Sequence, residues 1–416
     1  MASTPAMFMA NVFEEIAADG SVMITASHLP FNRNGIKFFT REGGLGKSDI
    51  KALVKLAEEE SFETVSGGSF TCCDLMELYC AHLRKTICDG LGRSEAEKPL
   101  SGLHVAVDAG NGAGGFYVSR VLEPLGADCR GSQFLDSDGT FPNHQPNPEN
   151  KEAMQAVCSA VIESGADLGI IFDTDVDRAA AVDSNGKAID RNAIVALAAM
   201  LAADGHPGAV IVTDSITSTQ LHTFLTDMGM EHLRYKRGYK NVIDKGLELN
   251  AQGRDCVLAI ETSGHAAMRE NFFLDDGAYL ATRIVIKAAQ LKAEEKGIES
   301  CIQTLGEPVE AAEFRLPLLA EDFAPYAQNV IDTLTKTVEE GTLPGMTLEL
   351  PNYEGVRIAF DETCGNGWLL IRMSLHDPLM PLNIESNEAG GLEKIKAAIA
   401  SLLAPFDKLD SGKLKA

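Results

Sequence analysis

Basic charge is what this sequence is shortest of: 36 Lys and Arg stand against 60 Asp and Glu in 416 residues, a formal net charge of −24. Such a chain repels nucleic acid and anionic membrane surfaces at long range, so polyanions make poor partners. A small phosphorylated substrate is not excluded, because a few Arg and Lys suffice for a local positive pocket. Paired cysteines are missing as well. The nine Cys (72, 73, 80, 88, 129, 158, 256, 301 and 364) are scattered and odd in number, with neither a Cys-x-x-Cys pair nor metal-ligand spacing. They read as buried or free thiols of a reducing compartment, which argues against a disulfide framework. No apolar run reaches the roughly 18 residues of a membrane span. The first 20 residues carry Glu14, Glu15 and Asp19 with no basic opening, so no targeting segment is visible. Composition, at 45% hydrophobic and 23% charged, excludes a disordered or low-complexity chain.

What is present is length for several cores: at about 150 residues per domain the prior is about three domains. Short apolar runs end abruptly at polar, glycine-containing loops and are followed by segments of helical period, the βα rhythm of a parallel sheet. Strands are predicted at Val22-Met23-Ile24, His104 to Val107, Leu168 to Phe172, Ala209 to Val212 and Cys256 to Ile260. Helices are predicted over Asp49 to Glu60, Lys151 to Glu163, Asn192 to Ala203 and Asp276 to Glu295. Beyond about residue 310, Val356 to Phe360 and Trp368 to Arg372 flank a Gly/Asn/Asp loop, a predicted hairpin in a smaller α+β domain. Turn formers give four pieces: 1–95, 100–205, 206–305 and 310–416.

Four loops carry candidate chemistry. Phe172-Asp173-Thr174-Asp175-Val176-Asp177-Arg178 places three carboxylates at alternate positions after an apolar strand, where mutual repulsion favours a hard cation such as Mg²⁺. The calcium-loop pattern fails, because Arg178 and Ser184 stand where Gly and Glu are required; the alternative is a solvated acidic turn. Thr25-Ala26-Ser27-His28-Leu29-Pro30, with Asn34-Gly35-Ile36-Lys37 downstream, offers a nucleophile or phosphoryl carrier at Ser27 beside His28. Taken alone, a plain turn serine is the better reading. Glu261-Thr262-Ser263-Gly264-His265 could hydrogen-bond sugar hydroxyls and shuttle a proton at His265, or simply cap a helix at Ser263. Arg372-Met373-Ser374-Leu375-His376-Asp377-Pro378 offers donors for a phosphate dianion, against a solvated turn. A rival is Gly110-Asn111-Gly112-Ala113-Gly114-Gly115, which fits the dinucleotide fingerprint after a strand with Asp136 downstream; a dinucleotide oxidoreductase leaves the triple-Asp loop without a role.

In this order the loops resemble the α-D-phosphohexomutase family, which includes phosphoglucomutases, phosphomannomutases and phosphoglucosamine mutases. The resemblance implies an α/β fold of three related mixed-sheet α/β domains, the first incomplete, plus a smaller C-terminal α+β domain, with the loops around one central cleft. It implies an isomerase that interconverts hexose 1-phosphate and hexose 6-phosphate, glucose and/or mannose, through a phosphoserine at Ser27 and a bisphosphorylated sugar. Ser27 with His28 forms the active-site loop, and Lys37 and His265 are the acid/base candidates. Asp173, Asp175 and Asp177, with phosphorylated Ser27, hold one Mg²⁺, and Arg178 contacts the same phosphate. Glu261 and Ser263 grip sugar hydroxyls, while Arg237, Lys240, Arg372, Ser374 and His376 bind substrate. Glucose 1,6-bisphosphate is the expected activator. The segment Asp108 to Gly114 is similar to the opening of the family's second domain, which removes the need for a dinucleotide.

Two departures stand out. The family's phosphate loop reads Arg-x-Ser-x-Thr-Glu-Pro with a later Arg, whereas here His376 and Asp377 replace Thr and Glu and Pro381 stands at the later Arg. Family members also carry a strand-and-helix section before the serine loop, whereas only 26 residues precede Ser27. The first domain is therefore expected to be incomplete, its sheet partly uncovered, and the chain less stable and less active than a relative with that section. These departures keep a second function class open, a catalytically impaired sugar-phosphate-binding homologue. The expected partner is a phosphorylated hexose, with no nucleic acid or membrane, in a monomer or weak homodimer. The expected location is the cytoplasm, or an organelle stroma if an upstream targeting segment is missing. Sequence alone leaves the sugar open among glucose, mannose and glucosamine.

Overall fold

The structure, a computed structural model, describes residues 1–60, 66–374 and 377–414. Strands β1 (Ser21–Ile24), β2 (Ile36–Thr40) and β3 (Gly43–Gly44) form an antiparallel sheet. Strands β4 (Val105–Asp108), β5 (Leu168–Phe172), β6 (Ala179–Asp183) and β7 (Ala188–Ile189) form a second, in which β4 and β5 are parallel and the other pairs antiparallel. Next come a parallel pair, β8 (Val210–Thr213) and β9 (Glu231–Arg234), and an antiparallel trio, β10 (Cys256–Ile260), β11 (Ala266–Met268) and β12 (Leu274–Asp275). Strands β13 (Glu310–Pro317), β14 (Met346–Leu348), β15 (Val356–Phe360), β16 (Gly367–Ile371) and β17 (Leu379–Ser386) make an antiparallel sheet in the order β13-β17-β16-β15-β14.

The helices are α1 (Thr4–Met9), α2 (Lys47–Glu58), α3 (Leu75–Leu91), α4 (Lys151–Ser164), α5 (Arg191–Ala202), α6 (Thr219–Asp227), α7 (Tyr239–Ala251), α8 (Gly277–Lys292), α9 (Phe323–Glu339) and α10 (Gly391–Leu403). Several begin at a side chain that accepts from an orphan amide of the first turn: Ser3 for α1, Asn150 for α4, Ser218 for α6 and Asp276 for α8. Among the described residues no helix is long and apolar enough to cross a membrane.

The predicted strands and helices fall within a few residues of the observed ones, and the C-terminal hairpin pairs Val356 with Ile371 through Phe360 with Gly367. The parallel βα rhythm does not hold throughout. Strands β1, β5 and β10 each pass through their polar loop into an antiparallel partner, β2, β6 and β11, before any helix. Two of those partners read Ala-Ala-Ala-Val-Asp and Ala-Ala-Met, and alanine carries no strand signal; burial beside a formed strand decides their conformation. Each candidate loop is thereby held at both ends.

The chain divides into two compact units, one of residues 1–206 and 249–303, the other of 207–248 and 304–416. In the first, α4 covers β4 and β5, packing Val157 and Val161 with Ile171 and Val182. Helix α3 lies against α8, where Tyr79 Oη donates to Asp276 Oδ1 (2.6 Å). In the same unit α2 buries none of its residues, and Ile24 and Ile36 on the first sheet are exposed. In the second unit, Val330 and Leu334 of α9 and Ile395 and Ile399 of α10 share one core with Ile358, Leu369 and Leu382 of the sheet. Each such side chain contributes about 1.5–3 kcal/mol by leaving water.

Candidate active site

The triple-Asp loop joins β5 to β6 and is closed by its own backbone. Asp173 N donates to Arg178 O (3.3 Å), and Arg178 N donates to Asp173 Oδ1 (3.2 Å). Inside this turn Val176 sits at φ 69°, a left-handed conformation that is an outlier for a β-branched residue. The turn is packed from behind by α8: Gly277 N donates to Val176 O (3.0 Å), and a Cβ on Gly277 would lie 2.6 Å from the Arg178 backbone. Only glycine allows that approach.

Asp173, Asp175 and Asp177 are all buried, and one oxygen of each can come within 4.8 Å of the others. Asp173 Oδ2, Asp175 Oδ1 and Asp177 Oδ1 have no hydrogen-bond partner among the described residues. Leaving three buried carboxylate oxygens unmatched is expensive. A hard divalent cation with oxygen ligands is what such a donor set fits. The electrostatics agree. Burial, then the Asp177 and Asp175 charges, hold the Asp173 carboxyl well above its ordinary value. Burial pushes the same way at Asp177, but Lys37, His265 and Arg178 outweigh it and hold that carboxyl low.

The serine loop joins β1 to β2. Ser27 lies at φ 52°, a strained conformation for a non-glycine residue. Its Oγ is 3.2 Å from His28 Nδ1 and accepts from Arg178 Nη2 at 3.4 Å. Arg178 Nη2 also contacts His28 Nδ1. Burial, then the Arg178 charge, lower His28 to about 4, so its ring is neutral near pH 7. Arg178 is itself buried, with Nε 3.4 Å from Asp173 Oδ2 and Nη1 3.6 Å from Glu149 Oε2. On β2, Lys37 Nζ donates to Asp175 Oδ2 (3.1 Å) and Asp177 Oδ2 (2.6 Å). Burial opposes the Lys37 charge, but Asp177 and Asp175 prevail and raise its pKa. A cavity of about 260 Å³ adjoins Ser27, lined also by Phe31, Asn111, Phe141 and Asp175.

The Glu261 to His265 loop joins β10 to β11 and is zipped to the triple-Asp loop by an Arg178–His265 backbone bridge and by Ala179 N donating to Gly264 O (3.4 Å). His265 Nδ1 is 3.1 Å from Asp275 Oδ2 and 3.8 Å from Asp177 Oδ1. Glu261 and Ser263 are buried, and Ser263 Oγ has no partner among the described residues. The structure therefore brings Ser27, His28, Lys37, the three Asp, Arg178 and His265 into one contact network.

The remaining candidates lie in the second unit. Arg372, at the end of β16, is buried; its Nη1 is 4.0 Å from Glu354 Oε1 and its Nε has no partner among the described residues. Burial depresses the Arg372 pKa, with Glu354 opposing and Arg237 adding to the effect. Glu354 Oε2 accepts from Arg237 N (3.2 Å) and from Ser215 Oγ. Ser374 Oγ accepts from Asp377 N (3.3 Å), and Arg372 N donates to Pro381 O (3.1 Å). Lys240 pairs with Asp244 (2.9 Å). His376 lies outside the described residues.

Sequence reasoning missed Thr4, Asp275, Glu149 and Glu354. Asp275 was visible only as half of an Asp-Asp pair opening a helix, and Thr4 only as part of a Ser-Thr-Pro helix start. The dinucleotide fingerprint loses its physical basis. The amides of Gly110, Asn111, Gly112 and Ala113 donate to Asp108 Oδ1, Phe134 O, Ala109 O and Thr174 O at 2.7–2.8 Å, so they are engaged within the protein rather than offered to a pyrophosphate.

Comparison with known proteins agrees with this geometry. The phosphoglucomutase/phosphomannomutase α/β/α domains I, II and III match residues 1–64, 77–186 and 190–305. A phosphomannomutase/phosphoglucomutase of Pseudomonas syringae pv. tomato is 30% identical over 395 residues, 94% of this chain and 77% of that protein. A phosphoglucomutase of Neisseria gonorrhoeae is 26% identical over 398 residues, 95% of this chain and 79% of that protein. The crystal structure of a phosphoglucomutase/phosphomannomutase family protein from Burkholderia thailandensis superposes with a TM-score of 0.81 at 26% identity, covering 99% of this chain and 83% of that one. The chain belongs to the phosphoglucomutase/phosphomannomutase family of isomerases, the phosphohexomutases.

Proposed function

We propose that the chain interconverts hexose 1-phosphate and hexose 6-phosphate, with glucose or mannose as the sugar, through a phosphoserine at Ser27 and a sugar bisphosphate. The observation that carries this reading is Arg178, whose guanidinium reaches Ser27 Oγ at 3.4 Å and Asp173 Oδ2 at 3.4 Å, tying the candidate nucleophile to the acidic triad. Asp173, Asp175 and Asp177 would hold one Mg²⁺. When bound, the ion supplies charge neutralisation for phosphoryl transfer.

In the forward half-reaction a sugar hydroxyl attacks the phosphorus on Ser27. The P–O bond to Oγ breaks, a P–O bond to the sugar forms, and the hydroxyl proton passes to a base. His265 is suited to that role: its Nδ1 faces Asp275, which leaves Nε2 as the nitrogen able to take a proton. Lys37, kept protonated by Asp175 and Asp177, acts as the acid of the pair. Arg178 stays on the phosphoryl group throughout, and neutral His28 orients Ser27 Oγ. In the second half-reaction the bisphosphate presents its other phosphate to Ser27 and the bond changes reverse. Glu261 and Ser263 grip the hydroxyls, and Arg237, Lys240, Arg372, Ser374 and His376 bind the phosphate that is not being transferred. Glucose 1,6-bisphosphate would prime the cycle by phosphorylating Ser27.

The test is to incubate the chain with glucose 1,6-bisphosphate and Mg²⁺, map phosphate by peptide mass spectrometry, and assay glucose 1-phosphate, mannose 1-phosphate and glucosamine 1-phosphate. Phosphate on the Ser27 peptide and turnover of a sugar, both lost in Ser27→Ala, are expected. Binding without turnover favours the second reading, a sugar-phosphate-binding homologue, to which Pro381 in place of the family's later Arg lends weight. No binding and no turnover would sink both.

A further inference from the structure

Asp175 is the most constrained member of the triad, and its constraint comes from the start of the chain. Thr4 is 2% exposed. Its Oγ1 donates to Asp175 Oδ2, and its backbone N donates to Asp175 O at 2.9 Å. Lys37 Nζ fills the same Oδ2 at 3.1 Å. Two donors on one carboxylate oxygen leave the other, Oδ1, buried and without a partner among the described residues. The backbone bond fixes where Asp175 sits in the loop, and the hydroxyl bond fixes the rotation of its carboxylate. Thr4 is seated for this: it opens α1 just after the Ser3 cap, whose Oγ accepts from Ala6 N at 3.3 Å.

We infer that Thr4 is a positioning residue for the cation site. Its hydroxyl holds Asp175 with Oδ2 turned away and Oδ1 presented to the ion, so that the chain segment ahead of the serine loop tunes metal affinity. This rests on reading Asp173, Asp175 and Asp177 as the cation ligands. Outer hydrogen bonds of this kind orient ligands before the metal arrives, and removing one typically weakens binding by about 10–100-fold.

The probe is Mn²⁺, which favours the same oxygen ligands as Mg²⁺, titrated into the full-length chain with free Mn²⁺ read by electron paramagnetic resonance. The wild type should bind one Mn²⁺, and Asp175→Asn should lose it. Thr4→Val, which keeps the volume and removes the hydroxyl, should raise the Kd by about tenfold, and Thr4→Ser should restore it to within about twofold. Should Thr4→Val not fold, Thr4→Ala is read the same way. If Thr4→Val binds as tightly as wild type while Asp175→Asn does not bind, the role given to Thr4 is wrong and the cation site stands. The role is equally wrong if Thr4→Val lowers only the metal-free melting temperature. No Mn²⁺ on the wild type overturns the cation site and this inference with it.

Discussion

Arg178 concentrates the residue-scale argument. A planar guanidinium can meet Ser27 Oγ, Asp173 and Glu149 from different edges at once, which a lysine ammonium cannot do. Arg178→Lys keeps the charge and removes the fork. Its kcat should fall on the order of a hundredfold, with KM changed by no more than about threefold, as for loss of a donor used in the transition state. Steady-state kinetics beside a melting curve separate this from simple destabilisation, and a rise in KM alone would mean that Arg178 only binds substrate. Arg178 was legible because it follows the third Asp. Thr4 was not, since nothing in its neighbours announces a hydrogen bond to a residue 171 positions away.

At the scale of elements, β8 and β9 carry a buried histidine that the sequence gives no reason to single out. His232 on β9 has Nε2 2.8 Å from Thr213 Oγ1 on β8 and Nδ1 3.2 Å from His222 Nδ1 on α6. Burial, then the Arg234 and His222 charges, hold its pKa well below 6.5. The sign follows from linkage. The unfolded chain takes a proton near pH 6.5 while the folded chain does not, so stability is full above that pH and falls as pH drops below it. Thermal melts at pH 7.5 and pH 5.5 should show wild type losing more stability on acidification than His232→Gln. Equal losses would assign the acid sensitivity elsewhere, for example to His222, whose pKa is also lowered by burial. The same scale explains what the strand reading got right and wrong. Leu168–Phe172 and Cys256–Ile260 were legible as unbroken apolar runs, whereas alanine-rich β6 and β11 take their conformation from the strand they pair with.

For the whole molecule, the second unit is the informative case, because it is assembled from two stretches of chain, 207–248 and 304–416. A buried ion network joins them. Glu349 Oε1 accepts from Arg234, Glu349 Oε2 accepts from Arg357 Nε (2.8 Å), and Arg357 Nη1 donates to Ser215 O (3.1 Å). Arg357 also stacks on Trp368 at 3.6 Å. Glu349→Gln would leave two buried guanidinium groups short of their shared counter-charge, a loss of about 3 kcal/mol. Chemical denaturation should show the lower stability, and calorimetry a second, separate transition for this unit. An unchanged curve would mean that the apolar core alone holds the two stretches together.

By itself the sequence determined the α/β character, the order of the strands and the four loops with their chemistry, because apolar runs, glycine punctuation and carboxylate spacing are local properties. It also determined that Ser27, the three Asp and His265 stand at strand ends. Only the tertiary structure decided that each of those loops is the turn of an antiparallel pair, that Lys37 salt-bridges two of the three carboxylates, that Asp275 faces His265 and that Thr4 clamps Asp175. The physical reason is distance along the chain. Each of these contacts depends on where folding brings separate segments together, and the side chains that make them, a threonine, a lysine and an aspartate, are ordinary wherever they occur alone.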